Sequence, residues 1–294
     1  MLDKMLRLDP ASRANSQSDA LATPDVLTLD LEDSVRMEKK SEARRMVTQA
    51  LQASASTDSP SRKFVRINPG QAGLDDLDAI LSAPGLDGLL LPKVNSAADV
   101  QAVTRFIDEY GSETYRRQPR VIASIESPLG LLNLREIATS ERVGGLLFAA
   151  EDYCASSRLI RTPSRLEMLY ARSCVVAAAH AFGLSAIDLV CVKYKGEEAE
   201  RILVEEAEEG RRLGFTGKQA IHPAQVAAIQ RAFAPSPAEI TRAQAILDQY
   251  ESARESGRGA YGLQGADGQT EMIDAPMLLQ ARSILDQARA SGLV

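Results

Sequence analysis

"GLLFAAEDYCASS", residues 145–157, runs an apolar segment straight into two acids, Glu151 and Asp152. A buried strand ordinarily gives way to a polar turn. This one gives way to a carboxylate pair, an aromatic and a cysteine. The same design recurs along the chain. Strands are predicted at "VLTLDLED" (26–33), "KFVRIN" (63–68), "GLLLPKV" (88–94), "VIASIE" (121–126), "GLLFAAED" (145–152), "IDLVCVKY" (187–194) and "GKQAIHP" (217–223). Nearly every run carries polar groups at its C-terminal side: Glu32 and Asp33, Arg66 and Asn68, Lys93, Glu126, Glu151 and Asp152, Lys193, His222. Amphipathic stretches lie between the runs, among them "KSEARRMVTQALQA", "SAADVQAVTRFIDEY", "LLNLREIAT", "RLEMLYARSCVVAAAHAFG" and "EEAERILVEEAEEGRRLG". Gly183 and Gly214 stand where a left-handed helix cap is needed. Strands and helices alternating in units of roughly 25–40 residues imply parallel strands joined by crossover helices.

Seven strands fit either an open doubly wound sheet or a (β/α)8 barrel lacking its first strand in this chain. Charged strand ends decide between them. In a barrel they all meet at one mouth, where barrel active sites lie. An open sheet would gather only those near its switch point. No GxGxxG or P-loop is present. The expected fold is therefore an α/β TIM barrel.

Composition excludes several classes of function. A net charge of −6 gives no basic footprint for nucleic acid. No apolar stretch reaches the ~20 residues of a membrane span. "MLDKMLRLDPASRANSQSD" lacks the apolar core of a secretory signal. Three scattered cysteines, Cys154, Cys174 and Cys191, suit a reducing compartment, so an intracellular protein is expected, with cytoplasm and mitochondrion both open. Two histidines, His180 and His222, weaken a zinc site or a Ser-His-Asp triad. A metal here is expected on oxygen ligands, hence Mg2+, Mn2+ or Ca2+.

The texture changes after residue 234. "APSPAE" (234–239) marks a proline break, and "EITRAQAILDQYESARESG" reads as a long helix. A glycine-rich segment, "GRGAYGLQGADGQTEMIDAP", precedes a last helix, "MLLQARSILDQARA". The expected division is a barrel over 1–234 and a C-terminal helical extension over 235–294.

Ten ordered blocks, "LDLEDSV", "VRIN", "LLPKV", "IESPLGLLN", "EDY", "LYARS", "GLSAIDLVCV", "GFTGKQAIHP", "PSPAEI" and "MIDAP", resemble the citrate lyase β-subunit-like proteins of the HpcH/HpaI aldolase superfamily. That superfamily includes malyl-CoA and citramalyl-CoA lyases. The resemblance implies a Mg2+-dependent barrel (Mn2+ as an alternative), a homotrimer, and cleavage of a β-hydroxyacyl-CoA to acetyl-CoA and a 2-oxo acid. It implies Glu126 and Asp152 as metal ligands, Glu126 also touching substrate, and Arg66 as the clamp on the oxo acid's carboxylate. Glu32 and Asp33 resemble acids that orient metal-bound water or Arg66. Ile221 and His222 resemble the segment against the CoA thioester. Asp274 resembles the catalytic acid that reaches into a neighbouring subunit's site.

Plainer roles compete for several of these residues. Asp33 and Asp274 are good helix caps, and "DAP" is a good helix start. His222 precedes a helix-starting Pro223 and can be purely structural. His180 lies in an alanine-rich helix and is read as structural, and Cys154 as lining. Glu151 is expected to point away from the metal. The chain departs from the family pattern at Ala149, where glycine is common, at Lys193, where a neutral residue is common, and in the lengthened "GADGQTE" loop. The family's first strand, with its "YVPG"-like end, is absent. A barrel that binds CoA but turns over weakly, and a class II aldolase on free pyruvate, are the alternative readings.

Overall fold

Paired apolar strands and their crossover helices alternate strictly in the first 229 residues of the computed structural model. β1 (Val26–Asp30), α1 (Lys40–Ser54), β2 (Arg62–Arg66), α2 (Gln71–Ile80), β3 (Gly88–Leu91), α3 (Ala97–Tyr110) and β4 (Arg120–Ile125) come first. They are followed by α4 (Pro128–Leu132), α5 (Leu134–Ala138), β5 (Val143–Phe148), α6 (Ala150–Ser157) and α7 (Leu169–Ala181). β6 (Ser185–Asp188), α8 (Glu197–Leu213), β7 (Gly217–Lys218) and α9 (Val226–Phe233) close the series. The structure describes residues 22–56, 59–111, 120–255, 262–264, 270–272 and 274–294.

Strand order in the sheet follows chain order, β1 through β7, and every neighbouring pair is parallel. A doubly wound sheet reverses its order at a switch point; unbroken order is that of a TIM-type (β/α) barrel. The expected fold class holds.

Local chemistry explains the elements. Ser96 and Asp99 form a capping box at the start of α3. Ser127 caps α4, with Pro128 in its first turn. α8 ends on Gly214 at φ 102°, a left-handed position that costs glycine least. Leu31, Ile67, Leu89, Ile125, Leu146 and Phe148 are fully buried. Each such side chain contributes about 1.5–3 kcal/mol of transfer free energy.

Most of the predicted strands are shorter than expected, and for three of them the reasons are visible. The run at 145–152 stops at Phe148 and becomes α6 at Ala150. Glu151 and Asp152 thus lie in a helix's first turn, where its positive dipole end favours acids. In place of the run at 187–194 the strand is Ser185–Asp188, and the run at 217–223 keeps only Gly217–Lys218. Beyond Asp188, side chains take the carbonyls a ladder would use. Lys218 donates to Leu189 O (2.8 Å), Arg161 to Val190 O (3.0 Å), and Gln225 to Cys191 O (2.9 Å) and Lys193 O (3.1 Å).

Residues 230–294 form a second unit. α10 (Pro237–Glu255) and α11 (Ala275–Ala290) share a small core of Ala243, Ile246, Ala281 and Leu285. An antiparallel hairpin, β8 (Gly262–Gln264) with β9 (Thr270–Met272), occupies the glycine-rich segment. The hairpin was not expected, because its short strands lack a period-2 apolar pattern.

Candidate active site

Register between β1 and β2 places Asp30 beside Arg66. The Arg66 guanidinium forks onto Asp30, Nε to Oδ1 at 2.6 Å and Nη2 to Oδ2 at 2.7 Å. Its Nη1 lies 3.2 Å from Glu32 Oε2. Burial alone would raise the Asp30 carboxyl. Hydrogen bonds from Arg66 and Ser34, with the Arg66 charge, outweigh that and hold Asp30 down at about 2. Arg66 is itself raised: burial disfavours its charge, but the Asp30 bond and the charges of Asp30, Glu32 and Asp33 prevail. The best bidentate face of Arg66 therefore goes to a protein carboxylate, and only its remaining N–H groups are left for a ligand.

Glu32 is buried and bound on both oxygens. Lys93 Nζ donates to Oε1 at 2.6 Å, while Oε2 accepts the Asp33 N–H at 3.1 Å. Lys93 holds a left-handed backbone, φ 54°, at the end of β3. A lysine there is strained relative to glycine, so its ammonium is aimed at a local cost. Its Nζ also lies 3.5 Å from Asp33 Oδ1. The hydrogen bond Lys93 donates to Glu32 raises the Lys93 pKa, as do the charges of Glu32, Asp33 and Glu126, against burial.

Behind these groups a buried network anchors the end of β1. Lys40 Nζ donates to the carbonyls of Leu31 and Glu32 and to Asn68 Oδ1, each at 2.7 Å. Asn68 donates to Leu31 O at 2.8 Å and to Asp76 Oδ2 at 2.7 Å. Asp76, fully buried, also accepts from Arg44 Nε at 2.7 Å. The carbonyls flanking Glu32 are therefore fixed.

Glu126 follows β4 and is buried. Burial raises its pKa first, and the charges of Asp152 and Glu32 raise it further. The Ser124 side chain and the Lys93 backbone pull the other way. Asp152 is exposed in the first turn of α6. Ser156 on the same helix donates to Glu126 O at 2.9 Å, tying α6 to the end of β4. The charges of Asp152 and Glu32 thus both act on Glu126. Glu151 pairs with Arg161, which also donates to Val190 O.

On the β7 side, Ile221 is exposed and its N–H donates to Gln225 Oε1 at 2.9 Å. His222 Nδ1 accepts the Ala224 N–H at 3.2 Å, so His222 fills the helix-start role while its ring stays exposed. Asp274, in the second unit, is exposed and caps α11 by accepting the Met277 N–H at 3.0 Å. His180 donates to Gly214 O at 2.7 Å, a structural bond. Cys154 is buried, its thiol raised by burial and by nearby Glu151 and Glu167.

Three participants were missing from the sequence reading. Asp30 needs the β1–β2 register to be seen. Gln225 and Tyr194 carry no motif signal. A buried charge lattice at the ends of β6 and β7 was also unforeseen: Arg172, fully buried, pairs with Asp188 at 2.8 Å and with Glu209. Lys218 is buried beside Glu206 at 3.2 Å and Leu189 O; burial pushes its pKa down against the pull of Asp188 and Glu206.

The all-oxygen acids around Glu126 are donors of the kind Mg2+ takes, which needs one or two protein carboxylates and fills its other positions with substrate and water. Among the described residues no three His, Cys, Asp or Glu side chains make a ready cage. Among them, too, no helix is long and apolar enough to cross a membrane.

A parallel barrel-type sheet with acids and cations at its C-terminal ends defines the class: a carbon–carbon lyase of TIM-barrel type, and the pattern of that class, C–C bond lyases of the TIM-barrel fold, matches residues 166–293. The HpcH/HpaI aldolase/citrate lyase pattern matches residues 5–223, and the chain belongs to this family. It is 35% identical to the citrate lyase subunit beta of Escherichia coli K12 over 291 residues, 97% of this chain and 92% of that protein. It is 35% identical to the mitochondrial citramalyl-CoA lyase of Homo sapiens over 280 residues, 90% of this chain and 78% of that one. The crystal structure of CitE from Mycobacterium tuberculosis with magnesium, acetoacetate and coenzyme A superposes with a TM-score of 0.71 at 30% identity, covering 92% of each chain.

Proposed function

We propose that the protein cleaves a β-hydroxyacyl-CoA of the citramalyl-CoA or malyl-CoA type, giving acetyl-CoA and a 2-oxo acid. The observation that carries the reading is Glu126, a buried carboxylate directly after β4 on which the charges of Asp152 and Glu32 both act. Carboxylates gathered this way are stabilised together by a shared cation. Glu126 and Asp152 would hold Mg2+, with Mn2+ as the alternative. When bound, such an ion supplies Lewis-acid stabilisation of oxyanion charge and a template for a carboxylate and its neighbouring oxygen.

The chain's own residues do the rest. Arg66, held by Asp30, offers its remaining N–H groups to the oxo acid's carboxylate. Glu32 holds the Lys93 ammonium by a 2.6 Å hydrogen bond, and the Glu126 charge acts on the same ammonium. Asp33 borders that pair. Ile221 and His222 border the acyl-CoA near its thioester. Asp274, on a loop between a hairpin and α11, moves the proton at the departing acetyl carbon, from a neighbouring subunit of a homotrimer. The human citramalyl-CoA lyase and the CitE complex with magnesium, acetoacetate and coenzyme A support this substrate class.

The test is a coupled assay for acetyl-CoA release, with calorimetric Mg2+ titration of the same preparations. Glu126→Ala and Asp152→Ala are expected to lose both metal binding and turnover. Asp274→Asn should keep metal and CoA binding but lose turnover, because an amide cannot exchange the proton. Mixing Asp274→Asn with Glu126→Ala under subunit exchange should restore some activity. Unchanged Mg2+ affinity in both acid variants would refute the metal assignment.

A further inference from the structure

α6, the helix that carries Asp152, has eight residues and buries only Ala150, Tyr153 and Cys154. So small an apolar face leaves the rotation of the helix about its own axis to its polar contacts. Successive side chains on a helix stand about 100° apart, and residues i and i+4 share a face. Asp152 and Ser156 therefore lie together, and Ser156 donates to the Glu126 carbonyl at 2.9 Å. That bond turns the Asp152 face toward the end of β4. Glu151 lies on a different side of α6, where Arg161 takes it.

Arg161 belongs to the loop between α6 and α7, and its guanidinium has partners besides Glu151. Its Nη2 donates to Val190 O, just past β6, at 3.0 Å, and lies 3.5 Å from Glu206 Oε1. Glu206, buried on α8, is where a lattice of charges meets. Lys218 Nζ approaches it at 3.2 Å and Arg165 at 3.6 Å. Arg165 also pairs with Glu209, Arg172 shares Glu209, and Arg172 closes on Asp188 at 2.8 Å.

The direction of control follows from burial. The side chains of Arg165, Arg172, Lys218, Asp188 and Glu206 are buried, and removing a partner from such a set is costly. Arg161, 17% exposed, is anchored to that wall through Glu206 and Val190 O. It therefore cannot follow a turning α6, whereas α6, held by few apolar contacts, follows Arg161. A planar guanidinium can serve three partners at once in fixed directions; a lysine ammonium on a flexible stem cannot set those directions.

We propose that Arg161 is a positioning residue for Asp152: by gripping Glu151 it fixes the rotation of α6 and keeps Asp152 on the Glu126 side. This rests on the metal reading above and goes beyond it, because it gives Glu151 and the buried lattice a part in metal binding that neither has by contact.

The test is calorimetric Mg2+ titration of the full chain and three variants, each with a melting curve. Arg161→Met is expected to weaken Mg2+ binding about tenfold, the low end for residues that orient a metal ligand from behind. An effect of charge alone has the opposite sign, since losing a cation near the site tightens Mg2+ binding. Arg161→Lys keeps the charge without the three-way grip and should lose affinity too. Arg165→Met breaks the same lattice at Glu205, Glu206 and Glu209 without touching Glu151. It should lower the melting temperature and leave Mg2+ affinity unchanged. Unchanged or tighter Mg2+ binding in Arg161→Met would overturn the proposal, as would an equal loss in Arg165→Met. Full affinity in Arg161→Lys would overturn it even if Arg161→Met failed to fold. A parent that binds no Mg2+ would refute the metal reading itself, and this role of Arg161 with it.

Discussion

Replacing Asp30 by asparagine tests the electrostatic frame under the candidate site without touching a proposed metal ligand. The side chain keeps its shape and one acceptor oxygen, but loses the charge that receives the Arg66 fork at 2.6 and 2.7 Å. In the folded protein the Asp30 carboxyl is held at about 2, against an ordinary 3.8. A difference of that size corresponds to about 2 kcal/mol, and solvent screening at this part-exposed pair reduces it to about 1–2 kcal/mol. The sign follows from the direction. A depressed carboxyl stabilises the fold fully above its unfolded pKa, near pH 4, and the benefit disappears as pH falls toward 2. Urea titrations of parent and Asp30→Asn should therefore differ by about 1–2 kcal/mol at pH 6 and by about half as much at pH 3. Since both would be measured at each pH, other acid-sensitive groups cancel. Stability curves that stay parallel from pH 6 to pH 3 would show that the Asp30–Arg66 fork is not a charged pair of this strength.

Two further substitutions probe how the barrel wall is held. Arg172→Leu strands a fully buried Asp188 carboxylate and should cost about 3–5 kcal/mol in urea unfolding, with Asp188→Leu added to it recovering much of the loss. Gly130→Ala would drive a Cβ into the Val94 carbonyl oxygen, so a loss of about 1–3 kcal/mol is expected, together with weaker Mg2+ binding, because α4 begins directly after Glu126.

Periodicity made the strand–helix alternation readable, and the clustering of charges at strand ends made the barrel readable. Leu146 and Phe148 announce a buried strand in any context. What the sequence could not show was how far each strand runs. The apolar run at 187–194 looks like one strand, yet it pairs only as far as Asp188. The reason is long-range: Lys218, Arg161 and Gln225, distant in sequence, claim the carbonyls that follow. Propensity carries no record of a donor arriving from another loop. The error at Glu151 and Asp152 has the opposite character. Their surroundings favoured a helical turn, and the strand reading overran it because the apolar run came first.

The candidate site divides the same way. Glu126, Asp152, Arg66, Glu32 and Asp33 stood out because a charge beside an apolar run is unusual. Asp30 did not, because it sits inside an alternating strand where one acid looks like an outward-facing residue. Only the pairing of Asp30 with Arg66, a register fact spanning 36 residues, shows that the clamp is already gripped. That changes the chemistry expected of Arg66. A free guanidinium would meet a ligand carboxylate with its whole fork, whereas one bound by Asp30 on Nε and Nη2 meets it from one side. Its direction is then set by the protein before any ligand arrives, so the ordering cost of the clamp is met in folding rather than in binding. The depressed Asp30 carboxyl is the measurable trace of that arrangement, which is why the pH dependence of stability reports on the residue proposed here as the carboxylate clamp.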